Sequence, residues 1–271
     1  MRVAVTGVAS GIGAAACKIL KERGDEIVGF DLNEPPENIA DNVDEFHKMN
    51  IADLSALPEL IAGLSGNFDA LLNIAGIPPR SQSDGANAGN EALVLVVNFF
   101  GLRKFTELML EKLVDGAAIA SLSSRAGSRW AENIDQVKEF MRLPETTNLQ
   151  EYCGQNGIDP VRAYDLSKEA VVVWSMAKTE VLLKRDIRLN CVSPGGVSTP
   201  ILEDFVEAFG AERVNRMTDR AGRACLPEEA AGVAIFLISP ESKWVKGYNI
   251  YTDGGAFAMI TSDQLELSEF S

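Results

Sequence analysis

Basic side chains are scarce in this chain. Its 271 residues hold 25 Lys and Arg against 39 Asp and Glu, a formal net charge of −14. Such a charge repels phosphate backbones, so no nucleic-acid partner is expected. Histidine is scarcer still. His47 stands alone, which excludes any site needing two imidazole ligands and stakes a Ser-His-Asp triad on one residue. The four cysteines, Cys17, Cys153, Cys191 and Cys225, are far apart. None forms a C-x-x-C pair, so no metal site and no disulfide framework is expected, and scattered thiols suit a reducing compartment. No stretch reaches the ~18 uncharged apolar residues of a membrane helix. The N-terminus enters an apolar run at once, without the pattern of a secretory leader. The expectation is a soluble, cytoplasmic protein with no membrane partner.

What is present is enough apolar material for a large core, at 46% of the residues. It is arranged as short apolar runs alternating with helical patterns. Strands are expected at Val3–Val5, Ile27–Phe30, Phe46–Met49, Ala70–Ile74, Ala117–Leu122, Ile187–Val192 and Tyr248–Thr252. Helical periodicity covers Ile12–Arg23, Leu57–Leu64, Ala92–Leu113, Ala163–Arg185 and Pro227–Ile238. The strands are continuous apolar runs rather than alternating ones, as a sheet covered on both faces requires. The rhythm predicts an α/β fold in one domain over residues 1–271. Its sheet is doubly wound and parallel, of about seven strands with helices on both faces. Two segments break the rhythm, at about 129–162 and about 200–224. Loops of that length inside a compact domain carry function or helices of their own. The polar, acidic stretch Thr261–Ser271 reads as a surface extension.

Between the first strand and the first helix stands Thr6-Gly7-Val8-Ala9-Ser10-Gly11-Ile12-Gly13. Glycines there permit a tight turn and a close backbone approach to a pyrophosphate. The helix N-terminus adds unpaired N–H donors and the positive end of a dipole. Asp31 closes the next strand. Its carboxylate can accept from both ribose hydroxyls of an adenosine and would repel a 2′-phosphate. The cofactor expected is therefore NAD rather than NADP.

Tyr164-Asp165-Leu166-Ser167-Lys168 opens a later helix. Four residues apart, Tyr164 and Lys168 share one face. A tyrosine titrates near pH ~10 and is a poor base at neutral pH. A fixed ammonium and an oxidised nicotinamide nearby both favour the phenolate, which then takes a proton from an alcohol.

With these motifs in hand the chain resembles the short-chain dehydrogenase/reductases over nearly its whole length. The glycine loop matches through Gly7, Ser10, Gly11, Ile12 and Gly13. The family's adenine contact is matched to Asp53 and Leu54, and its N-A-G segment to Asn73-Ile74-Ala75-Gly76. Its catalytic asparagine falls on Asn98, its serine on Ser124 of Ser121-Leu122-Ser123-Ser124, and its Tyr and Lys on Tyr164 and Lys168. Its P-G segment falls on Pro194-Gly195-Gly196-Val197-Ser198-Thr199-Pro200, and Asp253-Gly254-Gly255 also fits. The resemblance implies a Rossmann fold. It makes Tyr164 the acid/base and has Lys168 hold the nicotinamide ribose and lower the tyrosine pKa. Ser124 stabilises the substrate oxygen, and Asn98 supports a proton-relaying water. Thr199 and the backbone at Val197 hold the carboxamide. A homodimer or homotetramer is implied.

One departure is informative. Ser124 and Tyr164 lie 40 residues apart, far more than the family pattern allows. The added segment most resembles the bacterial coniferyl-alcohol dehydrogenase group, with the 3α-hydroxysteroid dehydrogenase/carbonyl reductase group second. Both imply a bulky, mostly apolar alcohol, or its ketone or aldehyde, as the small-molecule partner. The segment is expected to cover the substrate pocket and reshape the helix face used for dimerisation. Arg129 and Trp130 invite an aromatic-substrate role, but a lone Trp in an insertion more often packs. Two other functions share parts of this pattern. A sugar-nucleotide epimerase wants a longer C-terminal substrate domain and a different glycine spacing. A dinucleotide sensor without turnover would lack Tyr, Lys or Ser.

Overall fold

The computed structural model describes residues 1–80, 89–199, 202–211 and 218–270. Seven strands form one parallel sheet: β1 (Arg2–Thr6), β2 (Glu26–Asp31), β3 (Glu45–Lys48), β4 (Phe68–Asn73), β5 (Leu113–Leu122), β6 (Arg188–Pro194) and β7 (Asn249–Thr252). Their spatial order is β3-β2-β1-β4-β5-β6-β7. The order reverses between β1 and β4, the switch point where an open α/β sheet leaves a crevice beyond its strand ends.

Strand periodicity divides the core in two. Val3 and Val5 of β1 join Ile27 and Leu72 on one face, while Ala4 joins Val28 and Leu71 on the other. The first face is covered by α1 (Gly11–Glu22) and by the helix Pro227–Ile238. The second is covered by the helical run from Glu91 to Met109 and by the helix Pro160–Leu182. This two-sided burial is why the strands carry apolar runs instead of alternating patterns.

The pattern read over Ala92–Leu113 is not one α-helix. It is α-helical over Glu91–Leu95, π-helical over Val96–Gly101 and α-helical again over Leu102–Met109. Leu113 already belongs to β5, where it pairs with Phe68 before the register shifts and Ala118 pairs with Ala70. Gly116, at φ +84°, sits within that irregularity. The acidic tail is also helical over Ala256–Gln264 and again over Leu267–Phe270, with an exposed surface.

The segment at 129–162 has helices of its own, Ile134–Met141 and Leu149–Asn156. The first buries Val137 and Phe140, with Phe140 against Phe99 and Phe100 at ring distances of 5.2 Å. The second is capped by Asn148 and stopped by Gly157 in the left-handed region. They pack on the helix Pro160–Leu182 and on the Glu91 helix respectively.

Candidate active site

The strand ends open into one large crevice of about 790 Å³. Its lining runs from Phe30 and Asp31 at one end, past Gly7 to Gly13, to Ser124, Tyr164 and Lys168 at the other. At the glycine loop, Gly7 is held at φ +79°. A Cβ there would sit 2.9 Å from the Ala75 amide nitrogen, and a Cβ on Gly13 would overlap the Gly7 carbonyl oxygen. The loop thus presses its backbone against the end of β4 and the start of α1. Only a loop without side chains at these points leaves the helix N-terminus open to a phosphate. These residues fit a dinucleotide.

Asp31 lies where the sequence places it, at the end of β2 and on the crevice wall. Its Oδ2 accepts from the Ala9 amide at 3.0 Å and its Oδ1 from the Asn33 amide at 2.9 Å. The carboxylate is therefore aimed before any ligand arrives.

Asp53 and Leu54 stand apart from the crevice lining. Asp53 is exposed, tied to the Ser55 hydroxyl at 2.7 Å, and Leu54 packs against the core outside the crevice. The wall is built instead by Met49, Asn50 and Ile51. They follow β3 directly, and in an open sheet the first residues past a strand face the ligand. Asn73 also turns away from the crevice. It is buried, and its Nδ2 donates to Thr106 at 2.9 Å and Ser121 at 3.1 Å, joining β4, β5 and the helix beyond. The crevice is lined there by Ile74, Ala75 and Gly76, whose turn is held by the Thr6 hydroxyl accepting from the Ile74 and Ala75 amides.

At the far end the helix Pro160–Leu182 starts on an Asp159 cap, whose side chain accepts from the Arg162 amide. Tyr164 and Lys168 occupy successive turns on its inner face, both buried. The Lys168 ammonium donates to the Leu122 carbonyl at 3.0 Å and stands 5.7 Å from the Tyr164 ring centre. Burial pushes the Lys168 pKa down to about 8 and raises the Tyr164 phenol above its ordinary range, with a hydrogen bond to Ser124 working the other way. In the protein by itself the phenol keeps its proton. The ammonium is poised to lose its own on mild alkalinisation.

The two serines separate by what they touch. Ser124 caps the short helical turn Arg125–Arg129 and reaches the Tyr164 hydroxyl. Ser123 is buried and donates to the Lys168 carbonyl at 2.9 Å, so it pins the catalytic helix to β5. Asn98 sits in the π-helical turn, a distortion frequent at functional sites. Its Oδ1 accepts from the Ile77 amide at 2.8 Å and its Nδ2 donates to the Ile77 carbonyl at 3.1 Å. Gly76, just before, keeps the space between Asn98 and Lys168 clear: a Cβ there would be 3.1 Å from Oδ1 and 3.4 Å from Nζ.

Pro194, Gly195, Val197 and Thr199 line the wall opposite. A bridge from Val197 to Cys225 stiffens it, and the Thr199 methyl stands over Gly11. Pro200 lies outside the described residues, as do Ile201 and Met217 of the segment at 200–224. Leu202, Phe205 and Phe209, from the helix Leu202–Phe209, line the crevice. Phe205 packs edge-on against the Tyr164 ring at 5.1 Å, and Phe209 does so at 6.1 Å. Trp130 does not line it, and Arg129 is paired with Glu132 at 2.8 Å. Among the described residues no cluster of His, Cys, Asp and Glu could hold a metal, and no helix is long and apolar enough to cross a membrane.

Residues 1–134 match the family model described as short chain dehydrogenase, and residues 144–256 match that described as Enoyl-(Acyl carrier protein) reductase. The chain is 33% identical to a coniferyl-alcohol dehydrogenase of Pseudomonas sp., over 94% of this chain and 95% of that one. It is 31% identical to a 3α-hydroxysteroid dehydrogenase/carbonyl reductase of Comamonas testosteroni, over 97% and 98%. Among solved structures, the 3α-hydroxysteroid dehydrogenase of a Pseudomonas species complexed with NADH superposes with a TM-score of 0.80 at 26% identity, covering 96% of this chain and 98% of that one. Glycine loop, sheet order and the Tyr164–Lys168 face agree with that kinship: the chain belongs to the short chain dehydrogenase family of oxidoreductases.

Proposed function

We propose that the protein is an NAD-dependent dehydrogenase that oxidises the hydroxyl of a bulky, mostly apolar alcohol and reduces the matching carbonyl. The observation that carries this reading is the convergence of Ser124, Tyr164 and Lys168 at the closed end of a crevice whose other end is the glycine loop and Asp31. Gly7, Ser10, Gly11, Ile12 and Gly13 cradle the pyrophosphate, Asp31 takes the adenosine ribose, and Pro194 to Thr199 back the nicotinamide. Bound NAD⁺ supplies the hydride-accepting ring and a positive charge beside the phenol.

The chain's own residues do the rest. Tyr164 takes the proton from the substrate hydroxyl and, in reduction, returns it to the carbonyl oxygen. Ser124 donates a hydrogen bond to that oxygen as charge develops on it. Lys168, charged at neutral pH, stabilises the phenolate form of Tyr164, and burial of both side chains limits screening between them. Asn98 fixes the loop at Ile77 against the catalytic helix. The apolar face presented by Phe205 and Phe209, together with the names of the relatives, supports an alcohol of the coniferyl or 3α-hydroxysteroid kind.

The test mixes protein, NAD⁺ and a panel of such alcohols and follows absorbance of the reduced nicotinamide. Turnover is expected, and Tyr164→Phe is expected to lose about 10²–10⁴ of it while still binding NADH. Full activity in Tyr164→Phe defeats the assignment.

A further inference from the structure

The loop after β4 and the helix Leu202–Phe209 are 124 residues apart in sequence, yet one side chain joins them. Arg80 Nε meets Asp204 Oδ1 at 3.2 Å and Arg80 Nη2 meets Oδ2 at 3.1 Å. This fork-on-carboxylate geometry fixes direction as well as distance. Glu207, one turn further along the same helix, adds to the field on the guanidinium. The arginine is itself held from behind. Its amide donates to Asn90 Oδ1 at 2.8 Å, and Asn90 Nδ2 donates to the Pro78 carbonyl at 3.0 Å. Asn90 in turn precedes the Glu91 helix that leads into the π-helical turn of Asn98. A chain of contacts therefore runs from the scaffold through Asn90 and Arg80 to Asp204.

Asp204 immediately precedes Phe205, whose ring lies edge-on to Tyr164 at 5.1 Å and 70°. Phe209, one turn on, stands 6.0 Å from Phe205 and 6.1 Å from Tyr164. These three rings form an apolar wall at the reacting end of the crevice. The Phe205 and Phe209 rings offer no hydrogen bond to a hydrophilic substrate, while edge-to-face aromatic packing favours a flat unsaturated one.

We propose that Arg80 is a positioning residue for substrate recognition: its pair with Asp204 sets the Phe205–Phe209 wall against Tyr164, and that wall selects flat, apolar alcohols over small ones. This rests on the dehydrogenase reading above and deepens it. The ion pair is largely exposed, at 63% for Arg80 and 26% for Asp204. It works by orientation, since such pairs add little to stability. A small alcohol has little surface to lay against the wall and gains little from the pair. A large one gains contact only when the wall is in place.

The experiment is steady-state kinetics on the full chain with saturating NAD⁺, using coniferyl alcohol and 2-propanol as the two probes. Arg80→Ala is expected to raise KM for coniferyl alcohol at least fivefold, with kcat falling less than KM rises and with KM for 2-propanol changed less than twofold. Arg80→Lys should recover part of the loss, and the charge-reversed double variant Arg80→Asp with Asp204→Arg most of it. Phe205→Ala should lower kcat/KM for coniferyl alcohol about tenfold more than for 2-propanol. An Arg80→Ala enzyme with an unchanged KM for coniferyl alcohol, or with equal losses on both probes, overturns this proposal and leaves the dehydrogenase standing. A wild-type protein that oxidises neither probe, nor any 3α-hydroxysteroid, overturns both.

Discussion

Glu169 accepts a hydrogen bond from Arg162 Nη2 at 2.7 Å although its carboxylate is fully buried. Its other oxygen accepts from Asn133 Nδ2 at 2.6 Å, and Arg162 also donates to Gln136 Oε1 at 2.8 and 3.0 Å. Asn133 and Gln136 belong to the added segment, and Glu169 follows Lys168 directly on the catalytic helix. The segment that departs from the family pattern is thus fastened, through one carboxylate, to the helix that carries Tyr164 and Lys168.

Removing the arginine strands that carboxylate. Arg162→Ala is expected to destabilise the protein by about 2–3 kcal/mol, below the value for a wholly buried pair because Arg162 retains some exposure to water. The midpoint of urea unfolding reads this. A shift within error of zero would mean that Asn133 alone satisfies Glu169.

The role proposed for Asp31 is cofactor choice. Wild type should prefer NAD⁺ over NADP⁺ by at least tenfold in kcat/KM, and Asp31→Ser should reduce that ratio about tenfold, the size of a single charge repulsion removed. Kinetics with each cofactor at matched concentrations decide it. Equal efficiency with both in the wild type contradicts the role.

Lys168 is a buried amine with a pKa pushed down to about 8. The folded protein therefore binds fewer protons than the unfolded chain between that value and the ordinary lysine range. Stability must rise with pH across that window, and the cost of charging the buried group is fully present below it. Relative to Lys168→Met, which cannot titrate, wild type should gain stability from pH 7.5 to pH 10, by at most about 3 kcal/mol. Urea midpoints of the two proteins against pH check the sign. A flat difference means the amine stays solvated in the fold.

Gly13→Ala tests the cradle without removing any polar side chain. The added methyl cannot fit against the Gly7 carbonyl, so loop and helix must part. A loss of about 1–3 kcal/mol in stability is expected, as for overpacked cores, along with a tenfold or greater weakening of NADH binding, read by quenching of its fluorescence. Normal affinity would show that the loop yields without cost.

Much of this was legible beforehand because it depends on local rules. Val3–Val5, the glycine loop and Asp31 follow one another within a single strand-turn-helix-strand unit, and Tyr164 and Lys168 need only helical spacing. The Pro227–Ile238 helix begins on its proline and ends where its pattern ends. That Met49, Asn50 and Ile51 line the crevice while Asp53 does not is less local, because only the end of β3 decides which of these neighbours faces it. The helices at 134–141 and 149–156 did leave signals, the Val137–Phe140 spacing and the Asn148 to Gly157 boundaries, but in a segment where the strand-helix rhythm had stopped. Phe205 and Phe209 are four apart and plainly amphipathic. What they pack against is a long-range matter that periodicity does not encode.

The helix Leu202–Phe209 lies at the Tyr164 end of the crevice, whereas Asp31 and the glycine loop belong to the other. On the proposed function, the seat of the carrier and the gauge for the incoming molecule are separate modules within one chain. Diversity at positions 202–209 would retune what is accepted while the redox machinery beneath keeps its settings, which makes that short helix the natural place to graft new preferences onto this scaffold.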